Sequence, residues 1–171
     1  VDHVKDSSVQ GYYEGNHTAN GVLRGTKADV WEAGHRVPFL VRWPGKVEAG
    51  SSSERTITHT DFFATAVSVA GGKMPGAVEG AQDSFDFSPL FLGKEKAFKR
   101  APVIHHSGGA MFAIREGDWK LVLGNGSGGR EKPSGKRFDR PWQLFNLKED
   151  IGEKTDRIRE FSEVALKLEK K

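Results

Sequence analysis

The amino-acid sequence predicts an α/β chain organised in two parts, and three patterns support this. The near-continuous apolar run at 37–43 is typical of a buried strand in a parallel sheet, whose two faces are both covered. Two β-rich runs on either side of a glycine-containing loop at 116–118 indicate an antiparallel hairpin. Apolar residues spaced three and four apart near the end indicate an amphipathic helix. We therefore expect an α/β part over 1–98 and an antiparallel sheet packed on a C-terminal helix over 99–171.

In the first part, the strand at 37–43 is expected to be buried, with Pro38 at its beginning because proline cannot donate to a sheet. A short helical turn is predicted at 28–33 and should stop at Gly34. A longer helix should begin at residue 60 or 61 and end near residue 70, before a glycine pair.

In the second part, strands are predicted over 103–106, 111–115, 119–123 and 142–147, with an exposed loop over 124–141. The final helix should begin near residue 155. Its apolar stripe is formed by Ile158, Phe161, Ala165 and Leu168, and we expect this stripe to face the sheet.

Composition and charge exclude several classes of partner. The chain has 171 residues, of which 36% are hydrophobic and 29% charged, so it can form a core. Its 26 basic and 23 acidic residues are interspersed, so we expect no nucleic-acid partner. No apolar run approaches the roughly 20 residues that a membrane-spanning helix needs, so we expect no membrane association. The absence of cysteine removes disulfides, thiolate metal sites and a cysteine nucleophile from this chain.

Lys27 is the strongest candidate for a functional residue on physical grounds. It follows a glycine-containing turn and precedes the predicted helical turn. Free N–H groups at the start of a helix attract anions, and an ammonium group is a common point-charge partner for tetrahedral oxyanions. The alternative is an ordinary solvated lysine.

The stretch around Lys27 also carries a family resemblance. Residues 23–45 read L-R-G-T-K-A-D-V-W-E-A-G-H-R-V-P-F-L-V-R-W-P-G. This resembles the sulfatase pattern L-R-G-G-K followed, after a few residues, by E-G-G-x-R-V-P-F-I-V-x-W-P-G, and it departs from that pattern in having Thr26 where glycine is usual. Further sulfatase-like segments lie at 61–65, 83–86, 115–121 and 144–147.

The resemblance implies that the chain is the C-terminal part of an enzyme that hydrolyses sulfate esters. It also implies an alkaline-phosphatase-like α/β/α sandwich as the fold. It also implies a formylglycine nucleophile and a calcium ion. Neither the C/S-x-P-x-R motif for formylglycine nor the family's calcium ligands can be matched in this sequence. Asp2-His3 is the nearest approximation to the calcium ligands. We therefore expect both groups to come from residues outside this chain, in a missing N-terminal part, and the isolated chain to be inactive. The resemblance suggests a periplasmic, secreted or lysosomal location.

Of the family's catalytic residues, only the lysine after the glycine turn carries over, as Lys27. Weaker candidates for substrate contact are His105 and His106, near the expected rim of the pocket, and His17 in the preceding loop. The alternative for the histidine pair is that one is buried in its strand and the other is solvated.

Several other side chains are expected to be structural. Arg36 should form an internal salt bridge, and His35 should lie on the surface. Trp119 and Trp142 should belong to the core.

Three functions stay open at this point. The first is hydrolysis of sulfate esters, on a sulfated small molecule, sugar or polysaccharide. The second is a phosphatase or phosphonate hydrolase of the same superfamily. The third is a non-catalytic module that binds anions or glycans.

Overall fold

The computed structural model describes residues 20–76 and 79–171. They form two compact units, one made of 20–37 together with 102–171 and the other of 38–101. The change of unit near residue 101 is close to the expected change after residue 98, but 20–37 belong with the C-terminal sheet. The assignment of 1–98 to a catalytic domain stays a prediction. Asp2, His3 and His17 lie outside the described residues.

The unit at 38–101 contains helix α1 (Asp61–Val69), the short helix α2 (Ser88–Phe91) and a 3-10 turn at Glu95–Ala97. Asp61 is fully buried at the start of α1. Its carboxylate accepts hydrogen bonds from the amides of Thr58 (2.8 Å) and Phe85 (3.1 Å), and it pairs with Arg100 (3.2 Å). The helix predicted from 60 or 61 to 70 is thus confirmed.

Residues 37–43 do not form the predicted buried strand. Leu40 is 91% exposed, and only part of the segment packs, through edge-on contacts of Phe39 with Phe87 and of Trp43 with Phe91. A strand exists only where a neighbouring strand accepts and donates its backbone hydrogen bonds. In the described part of the chain no strand pairs with 37–43. The apolar pattern therefore predicted a strand for which the described residues provide no neighbouring strand.

The other unit contains a four-stranded antiparallel sheet. The strands lie in the order β1 (Val103–His106), β2 (Phe112–Glu116), β3 (Trp119–Val122) and β4 (Gln143–Asn146). The predicted hairpin between β2 and β3 is confirmed, but it closes at the pair Glu116↔Trp119, so its loop is 117–118 and not the expected 116–118. Gly117 adopts φ +60° at the first position of its two-residue loop, where a tight hairpin turn favours glycine.

Both faces of this sheet are covered. The first face packs against the segment at 24–34, in a cluster made of Val30, Trp31, Met111, Ala113, Val122, Phe145 and Leu147. The second face packs against helix α3 (Ser162–Glu169), in a cluster made of Ile114, Leu121, Trp142, Leu144, Ala165 and Leu168. Trp119 also packs against the second cluster, so both tryptophans are core residues as expected.

Helix α3 begins at Ser162, later than the expected start near residue 155. The reason lies in the backbone hydrogen bonds of the preceding segment. The amide of Arg157 donates to the carbonyl of Leu144 (2.8 Å), and Asp156 accepts the amide of Leu144 (3.0 Å). These bonds tie the segment to β4 and leave it unable to form a helical turn. The apolar stripe nevertheless faces the sheet, as predicted.

No helix in the described ranges combines the length and the apolar character needed to cross a membrane.

Candidate functional site

Lys27 lies in a tight turn over Thr26–Asp29, in which the Asp29 amide donates to the Thr26 carbonyl (3.0 Å). Ala28, the third residue of this turn, has φ +82°. The helical turn predicted at 28–33 is therefore wrong, since a left-handed residue cannot start a right-handed helix. A 3-10 turn follows at Glu32–Gly34. The turn leaves the Lys27 side chain exposed.

The carboxylate of Asp29 stabilises this turn through hydrogen bonds to backbone amides. Asp29 is fully buried. One carboxylate oxygen accepts the Thr26 amide (2.8 Å), and the other accepts the amides of Arg130 (2.6 Å) and Glu131 (3.2 Å). A carboxylate that accepts several amides in a dry site forms strong, charge-assisted hydrogen bonds. The Lys27 turn is thereby joined to the loop at 124–131.

Two loops close around the residue after Lys27. The amide of Gly108 donates to the Ala28 carbonyl (2.9 Å), and the amide of Val30 donates to the Ser127 carbonyl (2.8 Å). A Cβ atom at Gly129 would collide with the Ala28 carbonyl oxygen, so only glycine permits this close approach. The backbone that carries Lys27 is thus held on both sides, while the Lys27 side chain is exposed.

A buried ion cluster attaches the same segment to the sheet. Lys120 on β3 is fully buried, and its ammonium group lies 3.1 Å from Glu32 and 2.9 Å from Glu153. Glu153 also accepts the Glu32 amide (2.6 Å). Arg36 (2.7 Å) and Arg115 (3.2 Å) contact the second Glu32 oxygen, so the predicted internal salt bridge of Arg36 is confirmed.

The cluster changes the protonation of both carboxylates. Burial alone would raise the pKa of Glu32, but Lys120, Arg36 and Arg115 outweigh it and lower that pKa to about 2. Burial raises the pKa of Glu153, since Lys120 offsets only part of the desolvation. Glu32 is therefore ionised at neutral pH and can hold the Lys27-bearing segment on the sheet.

His105 points into this unit. One of its ring nitrogens lies 3.3 Å from the Val30 carbonyl, and its ring is 4.2 Å from that of His35. Burial and the nearby charge of Lys120 lower the pKa of His105 to about 3, and the same two causes lower the pKa of His35. The expectation that His35 is a surface residue is wrong, because its ring packs against His105 and is half-buried.

His106, in contrast, is exposed on the opposite face of β1. Its ring lies against Phe112, and its Nδ1 atom is 2.8 Å from the Ser107 carbonyl. The loop that follows it contacts Ala28 through Gly108. His106 thus ends the strand that leads into this loop, but its side chain lies on the face opposite the segment that carries Lys27, while His105 contributes to the interior.

Sequence reasoning missed the ion cluster around Lys120. A signal was present, because Lys120 interrupts the apolar run Trp119–Val122 at a position whose side chain points to the same face as Val122. A lysine at an inward-facing strand position requires a buried carboxylate partner. Which glutamates supply it depends on contacts over 88 residues of sequence, beyond any local pattern.

The described residues do not fit a calcium site. They contain no group of three or more histidine, cysteine or acidic side chains arranged to hold a metal ion. Calcium takes six to eight oxygen ligands, and the buried carboxylates here are already paired with cations or amides.

Comparison with known proteins finds similarity to sulfatases. The sequence matches the family described as Sulfatase over residues 2–72, the segment that contains the Lys27 turn. The chain is thus similar to the sulfatase family. It is 30% identical to an N-acetylgalactosamine-6-O-sulfatase of Bacteroides thetaiotaomicron over 154 residues, which is 89% of this chain and 29% of that protein. It is 34% identical to the steryl-sulfatase of Rattus norvegicus over 112 residues, 66% of this chain and 19% of that protein.

Solved structures agree with the fold. A Bacteroides thetaiotaomicron protein, solved in work on the metabolism of multiple glycosaminoglycans, superposes with a TM-score of 0.75 and 28% identity, over 91% of this chain and 32% of that one. Ps i-CgsB in complex with k-i-k-neocarrahexaose gives a TM-score of 0.66 and 29% identity, over 85% and 30% of the two chains. The expected alkaline-phosphatase-like α/β class is thus confirmed. The chain spans between a fifth and a third of the length of these relatives.

Proposed function

We propose that this chain forms the C-terminal part of a longer enzyme that hydrolyses sulfate esters. The observation that carries the proposal is the Lys27 turn, an exposed ammonium group on a backbone fastened by Asp29 and two loops. Sulfate-ester cleavage develops negative charge on the sulfuryl oxygens and on the leaving oxygen. A cation already in place stabilises that charge without reorganising at the moment of reaction.

In this proposal Lys27 grips the sulfate, and it does not supply the nucleophile. Formylglycine would provide the attacking oxygen and calcium would bind the sulfate, as is typical of the family, and we assign both to residues beyond those described. His106 is the better candidate for substrate contact of the two strand histidines, because it is exposed whereas a ring nitrogen of His105 lies against the Val30 carbonyl.

We infer that the remaining part of the enzyme covers residues 37–43. Val37, Leu40 and Val41 are apolar and exposed, at 57%, 91% and 38%. Apolar strand-forming residues of this kind are normally covered on both faces in an α/β sheet. A neighbouring strand and helix from the longer enzyme would provide that cover.

We further propose a sulfated sugar or polysaccharide as the substrate. Two observations support this class. The relative that covers 89% of this chain is named for the 6-O-sulfate of N-acetylgalactosamine, and one similar structure was solved with an oligosaccharide bound.

The experiment that tests the function compares aryl sulfate and aryl phosphate hydrolysis by the longer enzyme. We expect turnover of the sulfate to exceed that of the phosphate, and we expect none from the 171-residue chain alone. Preferential turnover of the phosphate would favour the phosphatase alternative. Binding of sulfated sugar without turnover of either ester would favour the non-catalytic module.

A further inference from the structure

We propose that Asp29 is a positioning residue for Lys27, and that its buried carboxylate sets where the Lys27 ammonium group meets the sulfate. This inference rests on the proposed function, because that function assigns to Lys27 the contact with the reacting ester. Three observations support it: the conformation of the backbone beside Lys27, the hydrogen bonds of the Asp29 side chain, and the packing of the loop that shares this side chain.

The backbone beside Lys27 adopts a conformation that its own residue type does not favour. Ala28 has φ +82°, a left-handed value that residues with a Cβ atom rarely adopt. Such a conformation persists only where surrounding contacts enforce it, and strained residues of this kind cluster at functional sites. The direction in which the Lys27 side chain leaves the turn therefore depends on contacts made by the residues around it.

The side chain of Asp29 supplies such contacts. One of its oxygens accepts the Thr26 amide (2.8 Å) and the Thr26 hydroxyl (3.3 Å), which fixes the residue immediately before Lys27. The other oxygen accepts the amides of Arg130 (2.6 Å) and Glu131 (3.2 Å). Burying a carboxylate is costly unless hydrogen bonds satisfy its oxygens. Here all of these donors belong to two segments, so the carboxylate holds the turn against one loop.

The loop that shares Asp29 lies directly against the turn. A Cβ atom at Gly129 would collide with the Ala28 carbonyl oxygen and with Oδ1 of Asp29, so glycine is required there. The carbonyl of Ser127, a fully buried residue, accepts the Val30 amide (2.8 Å). The backbone on both sides of Ala28 is thus bonded to this loop, and a shift of the loop relative to Asp29 would move the turn.

A cation stabilises a transition state best when it is already in place. Charge that develops on a sulfuryl oxygen gains most from a group that does not reorganise during the reaction. The lysine side chain is a flexible four-carbon stem, so the backbone is the part of its placement that the fold controls. A displacement of about 1 Å can cost on the order of 10² in rate. Asp29 would therefore act on the reaction through Lys27, without touching the substrate.

The test is a double-mutant cycle in the longer enzyme, with Asp29→Asn and Lys27→Ala made singly and together. Asparagine keeps the shape of the side chain, but its NH2 group cannot accept an amide, so one of the two segments loses its bond. Asp61→Asn is the matched control, because Asp61 is also fully buried and accepts the backbone amides of Thr58 and Phe85. Two measurements are made on folded variants: kcat and KM for 4-nitrocatechol sulfate, and the calorimetric affinity for inorganic sulfate.

Asp29→Asn should lower kcat by roughly 10- to 100-fold with little change in KM. In the Lys27→Ala background the same substitution should change kcat by less than about 2-fold, because the group through which it acts is gone. Sulfate affinity should fall by roughly 2- to 12-fold, again only where Lys27 is present. Asp61→Asn should have equal effects in both backgrounds. An equal loss from Asp29→Asn with and without Lys27 would show a merely structural role and overturn the inference.

Two further outcomes separate this inference from the proposed function. If the wild type hydrolyses no sulfate ester, the proposed function fails, and the sulfate affinities of the same variants decide the role of Asp29. A wild type that also binds no sulfate would overturn both. If Asp29→Asn does not fold, Thr26→Val replaces it, since this variant removes only the hydroxyl that donates to Asp29. It should lower kcat by roughly 2- to 12-fold in the presence of Lys27 alone, and an equal effect in both backgrounds would again overturn the inference.

Discussion

The two halves of one sequence motif behave differently in this structure. The first half, residues 23–36, is held by hydrogen bonds to the loops at 107–110 and 124–131 and is attached to the sheet by the pairing of Glu32 with Lys120. The second half, residues 37–45, is largely exposed and has no strand structure, and all of it except Val37 belongs to the other unit. Both halves have strong local patterns, so local pattern does not explain the difference.

The difference teaches that an element is stable where its partners are present. The partners of the first half are contributed by loops at 107–110 and 124–131 and by Lys120, all within this chain. A parallel-type strand instead needs neighbouring strands on its edges and cover on its faces. For 37–43 we assign these to the remainder of the longer enzyme.

The largest expected effect concerns the ion cluster that holds the first half. Lys120→Met should lower the free energy of unfolding by about 3–5 kcal/mol, because it leaves the Glu32 and Glu153 carboxylates buried without their shared cation. Urea denaturation measures this. The control is Lys167→Met, whose lysine is 71% exposed and 3.9 Å from Glu116, and which should change stability by about 0–1 kcal/mol. Similar losses in the two variants would mean that the cluster does not fasten the segment.

A second effect follows from the neutral histidine beneath the same segment. The pKa of His105 is lowered from 6.5 to about 3, so the folded protein binds fewer protons than the unfolded chain between these values. Stability is complete above pH 6.5 and falls as the pH drops towards 3, by about 2 kcal/mol at pH 5. Above pH 5 Glu32, with its pKa of about 2, stays ionised and does not contribute.

Urea denaturation of the wild type and of His105→Phe at pH 7 and pH 5 measures this term. The wild type should lose about 2 kcal/mol more than the variant between the two pH values, because only the wild type has this group to protonate. Other titrating groups such as Glu153 are common to both proteins and cancel in the difference. Equal pH dependence in the two proteins would show that His105 is not held neutral by the fold.

The smallest effect concerns the exposed half of the motif. Leu40→Ser should change the stability of the 171-residue chain by less than about 0.5 kcal/mol, since Leu40 is 91% exposed and makes few contacts. In the longer enzyme the same substitution should cost about 2–5 kcal/mol, as for other large-to-small changes in a core. Thermal unfolding of both proteins compares the two values. A near-zero effect in both would break the comparison, because 37–43 would then be exposed in the enzyme too.

The sequence predicted the fold where short-range chemistry decides the structure. The β2–β3 hairpin follows from the β-forming residues around Gly117, and α1 follows from its helical apolar pattern and the glycine pair at 71–72 that follows it. The prediction failed where distant groups compete for the backbone. Asp156 and Leu144 hold the segment before α3 out of the helix, and the loop at 124–131 forces Ala28 into a left-handed turn.

The same distinction between local and distant contacts applies to the candidate site. The salt bridge of Arg36 was predicted from the sequence and is confirmed, whereas the role of Lys27, proposed from its motif, stays a prediction. The inward direction of His105 and the outward direction of His106 alternate as in any strand, but which face is covered depends on Val30 and His35, far away in the sequence.

The measurement that tests the account most directly is the kinetics of Lys27→Ala in the longer enzyme, with folding checked by circular dichroism. The account predicts that kcat and kcat/KM for an aryl sulfate fall together by roughly 10²–10³, as for removal of one preorganised partner of a developing oxyanion. Lys27→Arg should recover only part of the rate, because a planar guanidinium does not reproduce a point charge. Lys46→Ala, which removes another exposed turn lysine, should leave the rate unchanged. Full activity in a folded Lys27→Ala enzyme would contradict the account.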